Sequence, residues 1–107
     1  MVQVRGWGNT PEIAGILKSE VVNSGLSCEL VESVERAGVY VLVFEKYYMR
    51  NSSRASLTVV VSSSGDVVTV DAIGSGGGQG ALFSFSWGAE ENFAQTVADI
   101  LEPHGFR

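Results

Sequence analysis

The chain has 107 residues, a net charge of -5, 45% hydrophobic residues and a mean hydropathy of +0.18. This length suits a single domain, residues 1–107, and the apolar content is high enough for a core, which argues against a disordered chain. The negative charge disfavours nucleic acid and anionic membranes as partners.

The N-terminal part of the chain is predicted to form a short strand and then a helix. Residues 1–9 form an irregular start or a short edge strand. Thr10 can cap a helix that Pro11 begins, and residues 23–25 end it. Gly15 interrupts this helix, and we expect close packing of the helix on a sheet to explain it. Apolar residues recur at helical spacing at Ile13, Ile16, Leu17 and Val21.

The middle of the chain shows the two-residue period of strands. Four strands are predicted, at residues 26–35, 39–48, 56–62 and 67–73, with tight turns at 36–38 and 63–66. The connections are short, so the simplest arrangement is an antiparallel meander. Residues 82–86 form a fifth strand or belong to a helix, and residues 88–102 form the last helix, which Pro103 stops.

These elements predict the fold class. We expect an α+β domain with a four- to five-stranded, mostly antiparallel sheet in the order α-β-β-β-β-(β)-α. The N-terminal and C-terminal helices are expected to pack mainly on one face of that sheet.

The segment 39–48 is apolar on both faces, with Val39 and Val41 on one face and Tyr40 and Leu42 on the other. Either this strand is covered on both sides, or one face is an interface. Two helices cover one face, so we expect the other face to bind a second copy, as a homodimer, or another protein. The predicted interface residues are Tyr40, Leu42, Phe44, Val60, Val68 and Val70.

A small anionic ligand is the alternative to a protein partner. Residues 74–80 include five glycines, whose backbone N–H groups could approach an anion, and a basic patch lies at residues 46–54. The glycines fit neither a P-loop nor a βαβ dinucleotide site. A bulge or crossover and a solvated strand end are the structural explanations. The predicted ligand-binding residues are Lys46, Tyr48, Arg50, Arg54, Gly76, Gly77, Gly78 and Gln79.

Enzymatic activity is uncertain, and the sequence favours a non-enzymatic domain. His104 is the only histidine and lies near the last residue, so no histidine-based triad or metal site is expected. Asp71 and Glu45 interrupt apolar strands and could form a carboxylate pair, which is the third hypothesis. No catalytic residue, metal or cofactor is predicted.

Cys28 is the only cysteine, so no disulfide can form within the chain. Residues 1–9 do not resemble a secretory signal, and the longest apolar run, residues 39–44, is too short to span a membrane. A cytoplasmic location is expected.

Four segments together resemble a small bacterial family of uncharacterised domains of this length. They are Glu45-Lys46-Tyr47, Arg54-Ala55-Ser56-Leu57, Ala72-Ile73-Gly74-Ser75-Gly76-Gly77 with Gln79, and Trp87-Gly88-Ala89-Glu90-Glu91. The resemblance implies a family and no chemistry.

Overall fold

One antiparallel sheet of five strands, with two helices, forms the domain in a computed structural model that describes residues 1–25, 27–48, 53–76 and 89–107. The predicted α+β class is confirmed. The elements are β1 (Val2–Trp7), α1 (Thr10–Val22), β2 (Cys28–Arg36), β3 (Val39–Tyr48), β4 (Ser53–Ser64), β5 (Val67–Gly76) and α2 (Ala89–Leu101), followed by a short 3-10 turn (Glu102–His104). The predicted strand at residues 82–86 lies outside the described residues.

The strand order is β1-β5-β4-β3-β2, and every neighbouring pair is antiparallel. Strands β2 to β5 form the predicted meander, while β1 pairs with β5, whose partner residues are 60 to 70 positions away in the sequence. Because β1 and β2 lie at opposite edges, α1 carries the chain across one face of the sheet.

Two-residue loops connect the strands of the meander at two places. Ala37 and Gly38 join β2 to β3 with φ angles of 51° and 83°. Two consecutive positive φ values are typical of a type I′ turn, whose twist matches that of the flanking strands. Gly65, with a φ of 62°, and Asp66 join β4 to β5, as predicted.

The start of α1 differs from the prediction by one residue. Asn9 is the cap, and its side-chain oxygen accepts a hydrogen bond from the Glu12 N–H at 2.9 Å. Thr10 is instead the first helical residue and is buried. The expectation for Gly15 is also wrong, because a Cβ built on it would meet no atom within 4 Å.

Both helices pack on the same face of the sheet, which we call the covered face. They contact each other and both contact β4. The strand side chains beneath them are buried and include the larger apolar groups of β3 and β4. The core consists of Val4, Ile13, Ala14, Leu17, Val21, Cys28, Leu42, Phe44, Ala55, Leu57, Val59, Val61, Val68, Val70, Ala72, Phe93, Ala94, Val97, Leu101 and Phe106.

The last residues of the chain add to the edge of the sheet at β1. The Arg5 N–H donates to the Arg107 carbonyl at 2.9 Å, and the Arg107 N–H donates to the Arg5 carbonyl at 3.0 Å. The Phe106 ring is 2% exposed and lies against Gly6. These contacts attach the C-terminal segment to β1.

Candidate functional site

The structure separates the predicted interface residues onto two faces. Leu42, Phe44, Val68 and Val70 are 0% exposed beneath the helices, so their assignment to the uncovered face is wrong. Tyr40 lies partly buried on the same covered face, with the Lys18 Nζ 6.0 Å from the centroid of its ring. Val60, which pairs with Val41, is the one predicted interface residue on the opposite face.

We call that opposite side of the sheet the open face. Within the described ranges no helix or strand lies over it. Its middle is apolar because the strand registers bring β-branched side chains of four strands together. Two of them, Val39 and Ile73, are 36% and 44% exposed, and the others are partly buried by their neighbours. This apolar centre consists of Val34, Val39, Val41, Val43, Val60 and Ile73.

Trp7 adds a large aromatic group to the open face. It pairs with Val67, one position away from the buried Val68 and therefore on the opposite side of the sheet. Its side chain is 76% exposed. Exposed tryptophan is costly in water and is enriched among the residues that dominate binding interfaces.

On the open face, the charged residues of the edge strands β1 and β2 are separated by sign along the strands, while Asp71 of β5 lies opposite Val60 in the middle of the face. One end carries Arg36 on β2 and Arg5 on β1, and we call it the basic end. The other end carries Glu29 and Glu32 on β2 and Glu45 on β3, and we call it the acidic end. The two ends adjoin the apolar centre, since Arg36 pairs with Val39 and Glu32 pairs with Val43. On β2 and β3 the open face therefore has an apolar middle between two oppositely charged ends.

The acidic end also contains one ion pair and a shallow hollow. Arg54 Nη1 lies 3.3 Å from Glu45 Oε1, and both side chains are exposed to solvent. A hollow of about 290 Å³ beside them is lined by Glu45, Arg54, Ala55, Ser56, Ser75 and Gly76. Of the predicted ligand residues, the structure therefore brings Arg54 and Gly76 together.

Among the remaining predicted ligand residues, Lys46 is described with its side chain and does not line this hollow. Lys46 is on the covered face, where its Nζ lies 5.7 Å from the centroid of the Phe93 ring. Arg50, Gly77, Gly78 and Gln79 lie outside the described residues, as does the side chain of Tyr48. The predicted basic patch is thus divided, because the sheet lies between Lys46 and Arg54.

Cys28 lies directly opposite Lys46, on β2 and β3. Burial beneath the helices raises the pKa of the Cys28 thiol, while the nearby Lys46 charge lowers it and Glu29 raises it further. The net direction is upward, so the thiol is protonated at neutral pH and is a poor nucleophile.

The carboxylates on the open face do not form the predicted pair. Asp71 accepts a hydrogen bond from Gln3 at 2.6 Å, whereas Glu45 lies two strands and two residue rows away. Two strand spacings of about 4.8 Å and four residues at about 3.4 Å each place their Cα atoms roughly 17 Å apart. No group of three acidic, histidine or cysteine side chains suited to a metal occurs among the residues described.

A different pair of carboxylates could not be predicted from the sequence, because recognising it requires the register in which β2 pairs with β3. Glu29 lies directly opposite Glu45 on the open face. Like charges in directly opposed positions destabilise a sheet, so this arrangement has no evident benefit for folding.

The fold and the open face define a small α+β domain in which the two described helices cover one side of the sheet. No helix of the described residues is long and apolar enough to cross a bilayer. The chain belongs to DUF6054, a family of unknown function, whose model matches residues 1–105. This confirms the resemblance to an uncharacterised family. Neither the curated proteins nor the solved structures include a match.

Proposed function

We propose that this chain is a non-enzymatic, cytoplasmic binding module that recognises a protein surface, its own or another's, through the open face of its sheet. The observation that carries the proposal is the apolar centre. Six branched aliphatic side chains lie side by side there without a covering helix in the described ranges. Contiguous apolar surface of this kind on a folded domain marks an interaction site.

The shape and chemistry of the open face suit a protein better than a small substrate. The apolar centre is a sheet surface rather than a cleft, whereas small-molecule sites are concave. Apolar residues at the middle with charged residues at the ends reproduce the core-and-rim arrangement of protein interfaces. Trp7 extends this surface by a residue type that contributes strongly to binding.

The chemically reactive groups support a non-enzymatic role and a reducing compartment. Cys28 is buried beneath the helices with a raised pKa. Asp71 and Glu45 are too far apart to act on one substrate. A single buried thiol is the ordinary form of cysteine in the cytoplasm.

The experiment compares the wild-type chain with Val41→Glu, which places a charge in the apolar centre. The matched control is Ser19→Glu, which adds the same charge at an exposed position of α1. Each tagged chain is expressed in the organism that normally produces the protein, cross-linked to its partners and purified. Thermal unfolding confirms that each variant is folded, and light scattering gives its mass.

We expect one defined species, a second copy or another protein, to be captured by the wild type and by Ser19→Glu and lost with Val41→Glu. If the wild type is a monomer and all three chains capture the same proteins, the open face is not a binding site.

The second candidate function is binding of a small anion at the hollow of the acidic end. The observation in its favour is that Arg54 and Gly76 line the same hollow. Glu45 opposes it, since this carboxylate is 3.3 Å from the Arg54 guanidinium and neutralises it. Thermal unfolding in the presence of phosphate and of phosphorylated or carboxylated metabolites tests this function. An increase in Tm that is lost with Arg54→Gln and kept with Arg5→Gln would support an anion site. No increase in Tm with any of these compounds would exclude it.

A further inference from the structure

The two charged ends of the open face are complementary to each other. Arg36 and the pair Glu29 and Glu32 are at opposite ends of the same strand, β2, and all three side chains belong to exposed positions. A second copy turned end for end therefore offers acidic groups where the first copy offers basic ones. This inference rests on the proposed function and names the partner of the same site.

We infer that the open face binds the open face of a second copy of this chain, about a two-fold axis that runs across the strands. Such an axis keeps β2 over β2 and reverses its direction. Arg36 of each copy then lies over Glu29 and Glu32 of the other, and the contact occurs twice by symmetry.

The arginines of the two edge strands favour this axis over the other face-to-face arrangement. A two-fold axis parallel to the strands would place β2 over β1 of the second copy. Arg36 would then lie over Arg5 of the second copy, because both residues are at the basic end. Juxtaposed like charges disfavour that arrangement.

The dimensions of the face are sufficient for a dimer. Five strands at about 4.8 Å and four rows of side chains at about 6.8 Å give roughly 650 Å² on each copy, or about 1,300 Å² in total. Stable protein interfaces bury about 1,200–2,000 Å². Two sheets packed with their strands nearly aligned would bring the apolar centres into direct contact.

The test is a charge exchange followed by sedimentation velocity over a series of concentrations. One variant is Arg36→Glu, and the other combines Glu29→Lys with Glu32→Lys. The control is Glu20→Lys, a charge reversal at an exposed position of α1 on the other side of the molecule. Arg36→Ala serves as a milder variant if Arg36→Glu does not fold.

We expect the wild type and Glu20→Lys to form dimers, and each charge variant to dimerise roughly tenfold more weakly, since each reversal turns two attractions into repulsions. An equimolar mixture of the two charge variants should form heterodimers about as stable as the wild-type dimer. In that heterodimer, both contacts again join opposite charges.

Three results would overturn the inference. They are a wild type that is monomeric at every concentration, an Arg36→Glu variant that dimerises more tightly, and a mixture that does not regain the dimer. A monomeric wild type whose captured partner is still lost with Val41→Glu would leave the proposed function standing and refute the second copy alone.

Discussion

The ring of Phe106 lies so close to Gly6 that a Cβ built on the glycine would be 2.5 Å from the Phe106 Cδ1 atom. This contact joins the C-terminal segment to β1, and β1 is an edge strand with one other neighbour, β5. The absence of a side chain at Gly6 therefore determines how the edge of the sheet is closed.

Gly6→Ala is expected to lower the free energy of unfolding by about 1–3 kcal/mol, because the buried ring must move to admit the methyl group. Gly15→Ala is the matched control. It adds the same methyl group where nothing lies within 4 Å, and should raise stability by up to about 1 kcal/mol through helix propensity. Urea denaturation measures both, and equal effects of the two changes would contradict the contact.

Asn9 is the cap of α1, and its loss should weaken that helix. Asn9→Ala leaves the Glu12 N–H without its side-chain acceptor and is expected to cost about 1 kcal/mol. Asn9→Asp keeps an acceptor and should cost little. The measurement is the free energy of unfolding of both variants and of the wild type. If Thr10 were the cap instead, Asn9→Ala would leave this free energy unchanged.

Ala37 occupies a left-handed conformation that alanine adopts at a cost. Its φ of 51° in the two-residue loop with Gly38 suits asparagine better, because Asn-Gly is a preferred type I′ pair. Ala37→Asn should therefore stabilise the domain by up to about 1 kcal/mol. Gly38→Ala should destabilise the domain, because Gly38 has a φ of 83°. Thermal unfolding measures both variants. A lower Tm for Ala37→Asn together with a higher Tm for Gly38→Ala would show that the loop has another conformation.

The Cys28 thiol should make stability depend on alkaline pH. Its pKa in the folded chain is raised by burial, so below pH 9.0, the ordinary value, the thiol is protonated in both the folded and the unfolded chain and its contribution is complete. Above that pH the unfolded chain loses the proton first, and the contribution declines as the pH rises through the folded-state pKa.

The measurement is the free energy of unfolding of the wild type and of Cys28→Ala from pH 7 to pH 10.5. Groups other than Cys28 titrate in both chains, so the difference between the two curves isolates the thiol. The advantage of the wild type should shrink above pH 9, and parallel curves would show that the thiol is not buried in solution.

Most of the fold could be predicted from the sequence because local signals agreed with the tertiary arrangement. Alternating residues gave β2 to β5, and short turns gave their antiparallel order. The partner of β1 could not be predicted, because its pairing with β5 depends on contacts distant in sequence. The sequence predicts Thr10 as the cap of α1, whereas the structure has Asn9. Both residue types cap helices well, so only the geometry distinguishes them.

The faces of the sheet could not be assigned because β3 is apolar on both sides. Leu42 and Phe44 lie on the covered face, where their larger side chains fill the space beneath the helices. The valines that alternate with them along β3 lie on the open face. Lys46 follows the same alternation and lies with the core. Arg54 precedes the predicted start of its strand, at residue 56, so its face could not be read in advance.

The two edge strands of the sheet determine whether molecules can associate by strand pairing at high concentration. At β1, the backbone of Arg107 occupies the outer side of Arg5. At β2, a bulge between Leu30 and Glu32 and the acidic side chains beside it interrupt the ladder. Neither edge, in the residues described, is a flat template on which another molecule's strand could extend the sheet. Growth into filaments by strand pairing at these edges is thus disfavoured, and a concentrated solution should stay clear.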